Sequence, residues 1–213
     1  MINKELQKRI LSSIILLPIA VFFIVQGSIF FICFLSLLLL ATGYEWTKMC
    51  KKNYYLVIFG IIFLIFSFFL AYYIREKIGL LFFFFIIVIC IFTDMGGYVF
   101  GKIFKGPKLT SISPNKTYSG VIGSFLISLA AGLIFLQYTN INLFKNNSFE
   151  FLLSILFISL ISQIGDLIIS YFKRLAKIKD TGKILPGHGG LLDRIDGIIF
   201  AIPFSYLLFN YLS

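Results

Sequence analysis

Charged residues are scarce in this chain, 13% of 213, where a soluble globular domain carries about 25%. That shortage excludes an ordinary water-soluble fold. Acids are rarer than bases: nine Asp and Glu stand against nineteen Lys and Arg, a formal net charge of +10. Cysteine is confined to Cys33, Cys50 and Cys90, odd in number, widely spaced and without a CxxC pair, so neither a disulfide framework nor a zinc site is expected. What is plentiful is apolar: 59% of residues are hydrophobic, and the mean hydropathy is +0.98. The chain therefore reads as an integral membrane protein of the all-α class, one transmembrane helix bundle, with no segment that resembles a separate soluble domain. The basic balance has a first explanation in membrane orientation, so no nucleic-acid partner is expected.

An apolar stretch of about 17 to 25 residues can cross a bilayer as a helix. On that criterion the sequence predicts seven spans, at 10–26, 28–43, 54–74, 79–100, 119–138, 150–171 and 195–212. The first two are separated only by Gln26-Gly27-Ser28 and could instead form a re-entrant hairpin. The basic start followed by an apolar run resembles a signal peptide, but no small-residue cleavage site follows, so a retained helix is expected. Residues 1–78 read as N-terminal transmembrane helices and 79–213 as a catalytic transmembrane region with inner loops at 101–118 and 172–194. With the N-terminus inside, sixteen of the nineteen Lys and Arg fall on the cytoplasmic side, leaving only Arg75, Lys77 and Lys145 outside, as the positive-inside rule expects. All five aspartates sort to that same side, whereas Glu5, Glu45, Glu76 and Glu150 lie at span edges and read as incidental.

The densest polar segment is Ser170–Asp196, SYFKRLAKIKDTGKILPGHGGLLDRID, with three aspartates, the only histidine and six basic residues. Carboxylates able to hold a divalent cation, cations able to hold phosphate oxygens, and glycines that admit close backbone approach suit phosphoryl chemistry at a membrane surface. Ser159, Ser162, Asp166, Ser170, Lys173 and Lys177 recur at steps of three and four, one stripe of a helix leading into this segment. Asp166 inside a span is either functional or an interhelical hydrogen-bond partner. Asp193 and Asp196, at i and i+3, either share a divalent metal or place favourable charge at a helix N-terminus, with Arg194 between them able to neutralise one. Pro186-Gly187-His188-Gly189-Gly190 can turn sharply and offer N–H groups to an anion, and His188 is either a general base or a hydrogen-bonding turn residue. In the earlier inner segment, Thr93 to Gly120, Lys105 and Lys108 suit lipid headgroups, while Lys116 sits among hydroxyl and turn residues that could complete a phosphate cradle.

Together these residues resemble the phosphatidate cytidylyltransferases, or CDP-diacylglycerol synthases. The family's long signature is matched by Ser170, Lys173-Arg174, Lys179-Asp180, Pro186, His188-Gly189-Gly190 and Asp193-Arg194-Ile195-Asp196, with every gap in agreement. Asp94, Tyr98, Gly101, Ser113-Pro114, Lys116-Thr117 and Gly120 are similar to the family's other inner loop, so the likeness covers roughly the C-terminal 120 residues. One departure stands out: where members often read Ser-Pro-Lys-Lys-Thr-Trp-Glu-Gly, this chain has Asn115, Tyr118 and Ser119.

The resemblance implies transfer of CMP from CTP to phosphatidate, giving CDP-diacylglycerol and pyrophosphate. It implies Asp166, Asp193 and Asp196 as the set holding Mg2+, with Asp180 a candidate fourth ligand and a second, monovalent cation left open. Lys173, Arg174, Lys179, Asp180, His188 and Arg194 are the implied catalytic residues, and Lys116, Ser170, Gly189 and Gly190 the implied substrate contacts. It further implies residence in the bacterial inner membrane with the active site toward the cytoplasm, among membrane lipid; a homodimer is left open. A transporter would place its aspartates at the midplane instead of one face, and a CDP-alcohol phosphotransferase would need Asp-x-x-x-Asp where this chain has Asp-x-x-Asp.

Overall fold

The computed structural model describes residues 4–110, 113, 116–139, 148–185, 187 and 189–212. Pro114, Asn115, Lys145, Pro186 and His188 lie outside the described residues. Among the described residues there are seven α-helices: α1 (Lys4–Gln26), α2 (Ser28–Cys50), α3 (Tyr54–Tyr73), α4 (Leu80–Phe104), α5 (Tyr118–Thr139), α6 (Ser148–Leu175) and α7 (Leu192–Leu212). A π-helical turn, Ile74–Ile78, follows α3. Among the described residues, five stretches are long and apolar enough to cross a membrane, Ser28–Cys50, Tyr54–Ile78, Leu80–Phe104, Tyr118–Thr139 and Phe149–Leu175, and Ile14–Gln26 adds a shorter apolar helix. The protein is thus all-α and polytopic. Helix α4 runs four residues past its expected end, so Gly101 and Lys102, assigned by sequence to an inner loop, are helical.

Two compact units divide the chain: residues 1–80 with 172–195, and 81–171 with 196–213. The loop following α6 therefore groups with the N-terminal helices.

In the first unit the α1–α2 reversal is made at Gly27, whose φ of 66° is left-handed and therefore cheap only for glycine. A side chain there would also strike the Arg75 guanidinium. Arg75 donates to the carbonyls of Ile24 (2.9 Å) and Val25 (2.7 Å) at the end of α1, while Glu76 Oε1 accepts from the Ser28 N–H (2.7 Å) at the start of α2. A cation on terminal carbonyls and an anion on a terminal N–H each match the helix dipole they meet. Two residues that read by sequence as outlying charges thus cap both arms of the hairpin. Arg75→Leu is expected to lower stability by about 2 kcal/mol, since it leaves two carbonyls without their donor and Glu76 without its ion-pair partner at 2.6 Å. A thermal midpoint in detergent equal to wild type would overturn that role. Deeper in the unit, Trp46 lies on Gly60, donates from Nε1 to the Leu56 carbonyl (3.0 Å) and meets Phe172 edge to face at 5.1 Å.

In the second unit α4 and α5 cross on small residues. A Cβ on Gly96 would come within 2.4 Å of the Gly123 carbonyl oxygen, and one on Gly120 within 2.9 Å of the Gly97 carbonyl. Such close backbone approach is how membrane helices associate without a hydrophobic drive. Polar ties accompany it: Ser124 Oγ donates to the Thr93 carbonyl (2.8 Å), and Thr93 Oγ1 to Ser159 Oγ on α6 (2.9 Å), with Thr93 and Ser159 fully buried. Thr117 caps α5, its Oγ1 accepting from Gly120 N–H at 3.1 Å. Phe85, also fully buried, packs between Phe135 and Phe151.

Candidate active site

The signature segment folds around two carboxylates of the first unit. Leu185 and Gly189 exchange backbone hydrogen bonds (3.0 and 3.2 Å), a turn at which Gly187 has φ 77° and Gly189 φ 87°. The turn delivers Gly190, Leu191 and Leu192 to the start of α7, where three N–H groups would otherwise lack partners. Asp193 Oδ2 accepts from Thr181 N–H (2.8 Å), Thr181 Oγ1 (3.0 Å) and Gly190 N–H (3.2 Å), and its Oδ1 pairs with Lys173 Nζ at 2.8 Å. The Asp193 carboxylate is 7% exposed and the Lys173 side chain 11%, so this ion pair is shielded from solvent and its geometry is closely determined.

The second carboxylate is Glu45 on α2, a residue the sequence ranks as incidental. It is 1% exposed. Its Oε1 accepts from Leu191 N–H (3.0 Å), and its Oε2 from Leu192 N–H (2.8 Å) and Thr181 Oγ1 (3.0 Å). Glu45 therefore caps α7 from another helix, an anion at the positive end of the dipole. The Thr181 hydroxyl stands between both carboxylates and, having one proton, donates to one of them at a time. The fit is close enough to dictate the glycines. A Cβ on Gly190 would meet Thr181 Oγ1 at 2.0 Å and Glu45 Oε2 at 2.8 Å, and one on Gly182 would meet Glu45 Oε1 at 2.3 Å. The clue in the sequence was Glu45 itself, an acid in an apolar run.

Burial supports the helical stripe on α6: Ser159 and Ser162 are fully buried, Ser170 is 6% exposed and Lys173 9%. Lys177 departs from it, because α6 ends at Leu175. Lys177 N–H bonds to the Arg174 carbonyl and Ile178 N–H to that of Lys173, each at 3.0 Å, a Schellman closure with Lys177 at the left-handed position (φ 57°). Arg174 donates to the Ile178 carbonyl at 3.2 Å. Lys179, Asp180 and Arg194 are exposed in the same unit.

Lys116, Asp166, Ser170 and Asp196 belong to the second unit. There Lys116 Nζ pairs with Asp166 Oδ2 at 2.5 Å and Ser170 Oγ donates to Asp166 Oδ1 at 3.3 Å. Lys116 and Asp166 line a cavity of about 290 Å³ together with Asp94, Tyr98 and Gln163. Lys116 is presented by a short hairpin in which Leu109 N–H bonds to the Lys116 carbonyl at 2.8 Å. Asp196 is 7% exposed, and its Oδ1 accepts from the Gly197 N–H at 2.9 Å.

This arrangement bears on the expected metal. Asp193 Oδ2 already has three donors and Oδ1 a lysine, so Asp193 does not fit as a ligand while those bonds are in place. Among the described residues, no three or more of His, Cys, Asp and Glu group together so as to hold an ion. Asp166, which accepts one lysine and one hydroxyl and lines a cavity, retains coordination capacity.

Comparison with known proteins extends beyond the signature. Residues 51–212 match the model of the cytidylyltransferase family. Over 141 residues, 66% of this chain, the sequence is 39% identical to a phosphatidate cytidylyltransferase of Staphylococcus haemolyticus, of which the match covers 53%. Over the same length it is 41% identical to that of Staphylococcus aureus and 38% identical to that of Staphylococcus epidermidis. The chain spans about half the length of the curated relatives it matches.

Proposed function

Because this chain belongs to the cytidylyltransferase family, we propose that it transfers CMP from CTP to phosphatidate, forming CDP-diacylglycerol and pyrophosphate. A phosphatidate phosphate oxygen bonds to the α-phosphorus of CTP as the bond from that phosphorus to the bridging oxygen of the β-phosphate breaks, and pyrophosphate leaves with the electron pair. The nucleophile is already anionic, so no strong general base is required. The obstacle is repulsion between two anions, and fixed positive charge is the remedy.

The observation that carries this reading is the buried Lys173–Asp193 pair, whose carboxylate also accepts from the N–H groups of Thr181 and Gly190. In this reading the pair anchors a preorganised platform in the first unit, from which Arg174, Lys179 and Arg194 present charge without a large reorganisation cost. Lys173, held by Asp193, positions that platform. Lys116, in the second unit, is proposed to meet phosphate once it exchanges Asp166 for substrate. The proposed cofactor is Mg2+, supplying further countercharge to the phosphates, with Asp166 and Asp196 as its protein ligands.

The decisive experiment incubates purified protein in detergent with labelled CTP and phosphatidate. Equal release of pyrophosphate and lipid-bound label, lost on chelation of divalent cations, is expected. Absence of lipid-bound label under any cation condition would overturn the reading.

We further propose that the active site faces the cytoplasm of a bacterial inner membrane, on the strength of the basic bias of residues 172–194. In a cysteine-free variant carrying Lys183→Cys, an impermeant thiol reagent added to intact cells is expected to leave position 183 unlabelled and to label it after lysis. Labelling in intact cells would overturn the orientation.

A further inference from the structure

The positive-inside rule accounts for lysines on one face of a membrane, but it does not require them to surround a hollow. In the first unit a cavity of about 960 Å³ is lined by Lys48, Lys51 and Lys52 from the α2–α3 corner and by Lys177, Lys179 and Lys183 from the segment after α6. Among the described residues, Asp180 is the single carboxylate lining it, and none of the six lysines forms an ion pair. Six cations around one concavity repel one another, and an anion within it relieves that repulsion. The floor is partly apolar, including Leu56, Phe172 and Ile178.

A second observation comes from the backbone. Lys177 holds the left-handed closing position of α6, where glycine is the usual occupant and a side chain carries a conformational cost. Lysine in place of glycine at that position puts one more cation on the cavity wall, at the negative end of a helix.

We infer that this cavity is a binding site for a phosphate-bearing anion, to which Lys48, Lys51, Lys52 and Lys177 contribute charge. The sequence alone left the first three as determinants of topology. The ligand chemistry, a multiply charged phosphate, is shared by the polyphosphate of a nucleotide and by the phosphomonoester headgroup of a lipid. The choice of these two sources rests on the proposed reaction, but the binding is measured without turnover.

The test uses the full chain in nanodiscs of neutral phosphatidylcholine. One arm titrates inorganic pyrophosphate by calorimetry; the other reads retention of phosphatidate by native mass spectrometry. The combined Lys48→Gln, Lys51→Gln and Lys52→Gln variant is expected to weaken binding in at least one arm by about tenfold or more, since charge-assisted contacts to phosphate are being removed. Loss in the pyrophosphate arm assigns the site to a polyphosphate, and loss in the phosphatidate arm to a lipid headgroup. Lys177→Gly is expected to weaken the same arm by about threefold while leaving the thermal midpoint equal or higher, because glycine suits that backbone better. Lys102→Gln, an exposed lysine outside the cavity, controls for bulk charge and is expected to change neither arm. The inference is overturned if the triple variant, with a wild-type thermal midpoint, binds both probes as wild type does, or if Lys102→Gln weakens binding equally. Wild-type binding without any CTP turnover would instead count against the proposed reaction and leave the site standing.

Discussion

Asp193→Asn is expected to abolish detectable turnover and to lower the thermal midpoint together. The carboxylate accepts two N–H groups and shares the Thr181 hydroxyl on one oxygen, and pairs with a lysine on the other, while 7% exposed. Asparagine keeps the shape but replaces one acceptor oxygen with a donor, which must then face Lys173 or an N–H. Breaking one side of a buried pair costs about 3–5 kcal/mol, because the partner charge is left uncompensated. Substituting Lys173→Met as well removes that orphaned charge, so the double variant is expected to recover part of the lost stability without recovering turnover. The measurement is a double-mutant cycle read by thermal midpoint and by the labelled CTP assay. If Asp193→Asn loses turnover at an unchanged midpoint, the carboxylate acts on substrate or metal and the clamp is not its role. If it keeps near-normal turnover, Asp193 leaves the proposed machinery altogether.

Glu45→Gln is expected to be nearly as damaging, although Glu45 lies outside the matched residues 51–212. Its two oxygens accept from Leu191 N–H, Leu192 N–H and Thr181 Oγ1. A glutamine amide can satisfy the N–H on one side only, and the other is left facing a donor. An unsatisfied buried group costs about 1–3 kcal/mol, and loss of the anion at the start of α7 adds to it. The N-terminal turn of α7 and residues 181–190 should then open more often. Hydrogen exchange at Leu191 and Leu192 is expected to accelerate by at least about tenfold, the equivalent of about 1.4 kcal/mol of local stability, and turnover to fall with it. Unchanged exchange at those two amides would show that Glu45 does not hold the segment. Gly190→Ala probes the same closure from the other side, since its Cβ would meet Thr181 Oγ1 at 2.0 Å.

Hydropathy and spacing alone determined that this protein is an all-α membrane protein, because apolar runs of bilayer length leave the backbone no alternative but to pair within a helix. They also placed Ser159, Ser162, Ser170 and Lys173 on one face of α6, since the periodicity of a helix is a local property. The 27-residue signature pointed to the family, and the match over residues 51–212 confirms membership.

What the sequence could not contain is which groups meet across long separations. Glu45 caps a helix 146 residues away, Arg75 caps a carbonyl 50 residues earlier, and three lysines at a helix corner join three others around one cavity. Each of these reads locally as an edge charge. Only the tertiary structure shows that Asp193, which the i and i+3 spacing offered to a metal or to a helix N-terminus, pairs with Lys173 and accepts from a set of N–H groups. A carboxylate binds whichever donors the fold brings within about 3 Å, and that proximity is a property of packing, not of spacing along the chain.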